Sequence, residues 1–202
     1  MPNSRVRCPP AQSRLLAIAL RKTSAAALLL IGAFALTGCT GTTVKPSMTH
    51  QEVAKTYSTV AVGDIAAPDE LWHNYAVEAR RELANQLVTA KAFSQVLDPA
   101  PAPLPADAVL ITGRITEVDK GSTAARWIVG FGAGRAHITG EFQMKDAAGT
   151  QIGTYSVRKT YAGGAGIGGA GFLDMDDLAK KLGQAAADSL AGWAKTGKFA
   201  EK

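Results

Sequence analysis

Three glycines, Gly164, Gly166 and Gly169, satisfy the spacing G-x-G-x-x-G inside "TYAGGAGIGGAGFLDMDDLAKK" at 160–181. This is the spacing of a dinucleotide-binding turn, where free backbone N–H groups at a helix start cradle a phosphate. The surroundings argue against that chemistry. The fingerprint needs a second parallel strand, ending in an acidic residue about 20 positions on. Here a helix follows the glycines and no second strand follows the helix. Asp174, Asp176 and Asp177 crowd that helix start, where they would occupy its donors and repel an anion. No G-x-x-x-x-G-K-[ST] loop occurs. The stretch is therefore expected to be structural, with no nucleotide and no cofactor bound, and Asp174 is the expected helix N-cap.

Other reactive side chains are scattered. His50, His73 and His137 fall in three different segments, and no two stand at zinc-ligand spacing. His137 is expected to be an ordinary surface histidine. Ser122 and Ser156 lack the G-x-S-x-G elbow of a serine nucleophile. The three aspartates lack the glycine turn and distal Glu of a calcium loop. No set of residues makes a catalytic constellation, so no enzyme is expected. Arg126 and Arg135 flank a second glycine run, "GFGAG", with Gly130, Gly132 and Gly134 two apart and Phe131 between them. Such a stripe permits close backbone approach or a bulged bend. These six residues form the candidate interaction surface, with the two guanidinium groups suited to a carboxylate or a lipid headgroup.

Cys39 carries the most specific chemistry. Arg5, Arg7, Arg14, Arg21 and Lys22 precede the apolar run "AAALLLIGAFAL" at 25–36, which is too short to span a bilayer. A basic segment, an apolar segment and small residues in that order make a secretory signal. It ends in Leu36-Thr37-Gly38-Cys39, which resembles the lipobox of bacterial lipoproteins. The resemblance implies cleavage between Gly38 and Cys39, a diacylglycerol group on the thiol and acylation of the freed amine. Residues 1–38 are then a signal peptide. Thr40 stands where an Asp would retain an enteric-type lipoprotein in the inner membrane, so the expected location is the outer membrane of the cell envelope, facing the periplasm.

Processing changes the charge balance. The full chain has 22 Lys and Arg against 17 Asp and Glu. Five of the basic residues precede Cys39 and none of the acids does, so 22 less 5 leaves 17 against 17. A neutral surface offers no electrostatic reason to bind nucleic acid. Cys8 leaves with the leader and Cys39 is taken by lipid, which leaves no thiol for a disulfide or metal.

These residues need a scaffold. "TGTTVKPSMTHQEVAK", 40–55, is small, polar and Pro-containing and reads as a tether, so 39–55 is assigned to a lipidated linker and 56–202 to one domain. "TYSTVAVGDI" alternates as a strand. After Pro68, Asp69 and Glu70, a helix runs to about Lys91, with Trp72, Ala76, Ala79, Leu83, Leu87 and Ala90 as its buried stripe. "FSQVL" is a short extended piece, and "DPAPAPLPAD" is a stiff linker. A long strand, "AVLITGRITEVDKG", precedes the glycine run. From 136 the alternation is clear: Ala136, Ile138, Gly140, Phe142 and Met144 face one way, and Arg135, His137, Thr139, Glu141, Gln143 and Lys145 the other. "DAAG" turns this strand into its partner, "QIGTYSVRKTY". A closing helix, about 174–195, buries Leu178, Leu182, Ala185, Ala186, Ser189, Leu190 and Trp193. The expected fold is α+β: a mainly antiparallel sheet with two amphipathic helices on one face, a two-layer sandwich.

The segment "GRITEVDKGSTAARWIVGFGAGRAHITGEFQMKDAAGTQIG", 113–153, resembles a bacterial lipoprotein family catalogued as domain of unknown function 4410. Arg126, Gly130, Phe131, Gly132, Gly134 and Arg135 stand at the positions of its pattern. The resemblance implies a lipoprotein with a small α+β domain and no established activity. The expected role is an interaction or accessory module of the envelope, held to the membrane by the lipid on Cys39, with an envelope protein or a second copy as partner. The alternatives are an oligomeric envelope or secretion component that uses the glycine-rich segments for subunit or lipid contact, and a carrier of lipid or a small molecule.

Overall fold

A computed structural model describes residues 41–49, 57–121, 135–161 and 174–199. In chain order these form β1 (Gly41–Thr49), β2 (Thr59–Ala66), a 3-10 turn (Glu70–Trp72), α1 (His73–Ala90), β3 (Gln95–Leu97), β4 (Ala108–Asp119), β5 (His137–Lys145), β6 (Gln151–Thr160) and α2 (Met175–Thr196). The six strands make one sheet in the order β1-β6-β5-β4-β2-β3.

The α+β class is as expected, but the sheet is mixed. β1 to β4 in that order, through β6 and β5, are joined by antiparallel pairings. β2 lies parallel to both β4 and β3. The cause is connectivity. α1 crosses from β2 to β3, as a parallel pair requires, and the proline-rich 98–107 segment then carries the chain past β2 to start β4. Two cis peptides, Asp98–Pro99 and Ala102–Pro103, shape that return.

The second correction concerns the expected tether. Residues Gly41–Thr49 are a strand, hydrogen-bonded to β6 from Gly41↔Thr160 to Thr49↔Gly153. Its register shifts between Pro46 and Met48. Proline is tolerated because β1 is an edge strand, where a missing N–H can face outward. Val44 is its buried contribution to the core.

The helices hold to their expected faces. Asp69 caps the 3-10 turn that leads into α1 by accepting from Leu71 N at 2.9 Å, and the helix closes at Lys91 in the left-handed region. Asp174 accepts from Asp176 N at 2.9 Å and Asp177 N at 3.3 Å, so it is the N-cap of α2. Every residue assigned to the apolar face of α2 is buried. The two helices run side by side in parallel, tied by Lys180–Glu78, Gln184–Glu82, Gln86–Asp188 and Lys195–Ala90 O. They touch most closely at Gly183, where a Cβ would lie 2.2 Å from Ala79 O.

Between helices and sheet lies one core. Ile138, Gly140, Phe142 and Met144 of β5 point into it. Phe142 stacks on Tyr155 with ring centroids 5.3 Å apart, and the Tyr155 hydroxyl donates to Ala186 O at 2.9 Å. The β5–β6 turn is set by Asp146, which accepts from Thr150 N at 2.7 Å, and by Gly149 at φ 83°.

Candidate functional site

Strand register decides where the chemistry gathers. Gly41, Thr160, His137 and Asp119 form one cross-strand row at one end of the sheet. β1 enters the sheet at this end, just after Cys39. The 122–134 connection, which holds "GFGAG", leaves β4 and rejoins β5 here. The 162–173 connection, which holds the G-x-G-x-x-G spacing, leaves β6 here. The three segments singled out in the sequence thus meet the sheet at a single end. Gly38, Cys39, Arg126, Gly130, Phe131, Gly132, Gly134 and the glycines at 164, 166 and 169 themselves lie outside the described residues. Arg135 is described and exposed.

The end row and the third row, Glu117, Thr139 and Arg158, carry a charged cluster on the sheet face opposite the helices. His137 is at its centre. It lies on the expected polar face, but it is not a surface histidine: only 7 % of it is exposed. Its Nε2 sits 2.9 Å from Glu117 Oε1 and 2.6 Å from Arg158 Nη2. Its Nδ1 is 3.3 Å from Arg135 O and 3.8 Å from Asp119 Oδ2. Arg158 Nη1 is 3.6 Å from Glu117 Oε2, which also accepts from Thr139 Oγ1 at 3.2 Å. The hydrogen bond from His137, with the nearby positive charge of Arg158 and the Thr139 hydroxyl, holds the Glu117 carboxyl below the usual carboxylate range. Asp119 in turn accepts from Gly121 N at 2.7 Å, and Tyr161 N donates to Ala136 O at 2.8 Å. The cluster therefore grips the roots of both glycine-rich connections.

Sequence reasoning missed this cluster because its members come from three strands. Glu117 reaches the row of Thr139 only because β4 shifts register between Ile115 and Glu117. No spacing within one strand signals it.

A cleft of about 140 Å³ opens on the helix side between β1, β6 and α2. Lys159, 8 % exposed, donates there to Thr42 Oγ1 at 2.6 Å. Lys181 pairs with Asp177 at 2.7 Å, Asp188 accepts from Gln86, and Ser189 donates to Ala185 O at 2.7 Å. Its polar groups are taken up between β1 and β6, within α2 and between the two helices. Among the described residues no three His, Cys, Asp or Glu side chains gather as metal ligands, and no helix is long and apolar enough to cross a membrane.

The model of the family described as a domain of unknown function, DUF4410, matches residues 64–165, half of the chain. The chain belongs to this family. The match runs from the end of β2 through β6 and so covers the positions of the charged cluster. No curated protein matches the chain. Among solved structures, a PelC dodecamer from Paraburkholderia phytofirmans is similar at 18 % identity and a TM-score of 0.47, over 75 % of this chain and 97 % of that one. A single-residue variant of that dodecamer is similar at 18 % identity and a TM-score of 0.45, with the same coverage.

Proposed function

We propose that this protein is a lipid-anchored module of the bacterial cell envelope, fixed through Cys39 to the periplasmic face of the outer membrane, and that it works by binding a partner rather than by catalysing a reaction. One observation carries the reading furthest. β1 begins at Gly41, two residues after Cys39. Two residues span at most about 7 Å. A lipid on Cys39 would therefore bring the Gly41 end of the sheet to the membrane surface, with no slack linker between them. Two or three acyl chains on one residue hold firmly where a single chain does not.

The test is direct. Cys39→Ala should abolish fatty-acid labelling and release the folded protein from the membrane fraction. Retention of label on the variant would overturn the assignment.

A second reading, an oligomeric envelope component, is favoured by the shared end of the sheet. The 162–173 connection starts from β6, the neighbour of β1, and the 122–134 connection joins β4 to β5 at the same end of the sheet. A surface built from them would sit next to the anchor, where neighbouring copies or lipid would meet it. Crosslinking in intact cells, followed by sizing in detergent, separates a ring or cluster of copies from a single copy bound to another protein.

A further inference from the structure

His137 Nε2 has two partners that cannot be served at once. Arg158 Nη2, at 2.6 Å, can only donate. Glu117 Oε1, at 2.9 Å, can only accept while ionised. A ring nitrogen offers either a lone pair or a proton. With the ring neutral and its proton on Nδ1, Nε2 accepts from Arg158 while Nδ1–H points at Arg135 O, 3.3 Å away. With the ring charged, Nε2–H must donate to Glu117. The Arg158 guanidinium then faces a like charge and a proton where it had an acceptor.

We propose that His137 is a proton-operated latch: protonation passes Nε2 from Arg158 to Glu117 and releases the Arg158 guanidinium from the ring. The groups that face the ring define the balance. β4 contributes Glu117 and Asp119, β6 contributes Arg158, and its own strand entry contributes the Arg135 carbonyl. The described residues place no further charged group on the ring. The two carboxylates favour the charged ring and Arg158 opposes it. Burial of the ring keeps water from standing in for either partner, so the exchange is between protein groups. Arg158 is already 46 % exposed along its side chain, and once it leaves the ring it keeps only the 3.6 Å pairing of its Nη1 with Glu117 Oε2 on the sheet face. In both forms Nδ1–H stays aimed at the Arg135 carbonyl, with Asp119 beside it. The ring thus trades Arg158 on β6 for Glu117 on β4. This inference does not depend on the lipid anchor.

An imidazole titrates between about pH 5 and 8. The experiment is an NMR titration of the whole mature protein across that range, following the His137 ring nitrogens, the Arg158 Nε–H and the Gly121 amide. The expected result is a change of the ring from the Nδ1–H form to the doubly protonated form, with the Arg158 and Gly121 signals moving along the same curve. Arg158→Gln should move that curve to higher pH and Glu117→Gln to lower pH, each by enough to change the midpoint proton concentration severalfold. His137→Gln should abolish the movement of Arg158. A ring that stays in the Nε2–H form at high pH, an Arg158 signal that ignores the ring, or two variants that shift the curve in the same direction would each overturn the latch. The wild-type titration alone decides between these outcomes if a variant fails to fold.

Discussion

Two glycines of α2 should respond to alanine with opposite signs. Gly192 has open space where a Cβ would stand. Replacing a helix-interior glycine by alanine there gains about 1 kcal/mol of helix propensity. Gly183 has the same propensity to gain, but its Cβ would lie 2.2 Å from Ala79 O and 3.0 Å from Leu83 N. Both obstacles are backbone of α1, so no side chain can swing aside. To restore ordinary contact the helices must part by roughly 1 Å along a seam that also holds Ala76, Leu83, Ala179 and Ala186. Overpacking of this kind costs about 1–3 kcal/mol. Against unyielding backbone the upper half of that range applies, about 2–3 kcal/mol, so after the propensity gain Gly183→Ala should lose about 1–2 kcal/mol. For a domain of this size each kcal/mol moves Tm by about 2–4 °C. Thermal unfolding of the unlipidated chain should therefore show Gly192→Ala melting a few degrees higher than the parent and Gly183→Ala about 2–8 °C lower. Gly183→Val should be worse still. If Gly183→Ala melts as high as Gly192→Ala, the close crossing of α1 and α2 is wrong.

Other outcomes follow from individual groups. Tyr155→Phe removes a buried hydroxyl that donates to Ala186 O and should cost about 1 kcal/mol by chemical denaturation. Glu117 has a depressed carboxyl in the folded state, so its contribution is present above the unfolded value near pH 4.3 and is lost as pH falls through the folded one. Glu117→Gln should flatten the stability curve in that acid range and leave its shape near pH 9 unchanged. Gly132→Val should lower the melting temperature if that glycine supplies a bend or a close approach, while Arg135→Ala, at an exposed position, should leave it nearly unchanged. Neither ATP nor NAD should shift the melting curve. A shift that disappears in Gly164→Ala with Gly166→Ala would restore the phosphate reading.

The parts of the fold legible in the sequence are those where one strand or helix carries its own pattern. β5 alternates residue by residue, α2 has a continuous apolar stripe and an aspartate cap, and "DAAG" closes a hairpin with Gly149 in the left-handed region. What failed needed a partner. β1 buries Val44 beneath α2, while its Thr, Lys and Pro read as a linker until β6 is beside it. The parallel pairing of β2 rests on a proline-rich return that carries no pairing signal. His137 is legible as a polar-face residue, yet its ring partners Glu117 and Arg158 stand on neighbouring strands, Glu117 brought into line by a register shift. Gly183 looked like one more glycine, because the carbonyl that excludes a side chain there belongs to a helix about a hundred residues earlier.

The pairing of β1 with β6 also orders events in time. Gly41 is the first strand residue to emerge from the ribosome and Thr160, its partner, is among the last. The opening strand must wait while the rest of the sheet is made, and its docking closes a loop that spans most of the chain. Contacts so distant in sequence form late and slowly. Until then β6 presents an open edge and Val44 has no core to enter. β1 is thus the first strand in the chain and the last to complete the sheet, because the edge it covers is made by the last strand, β6.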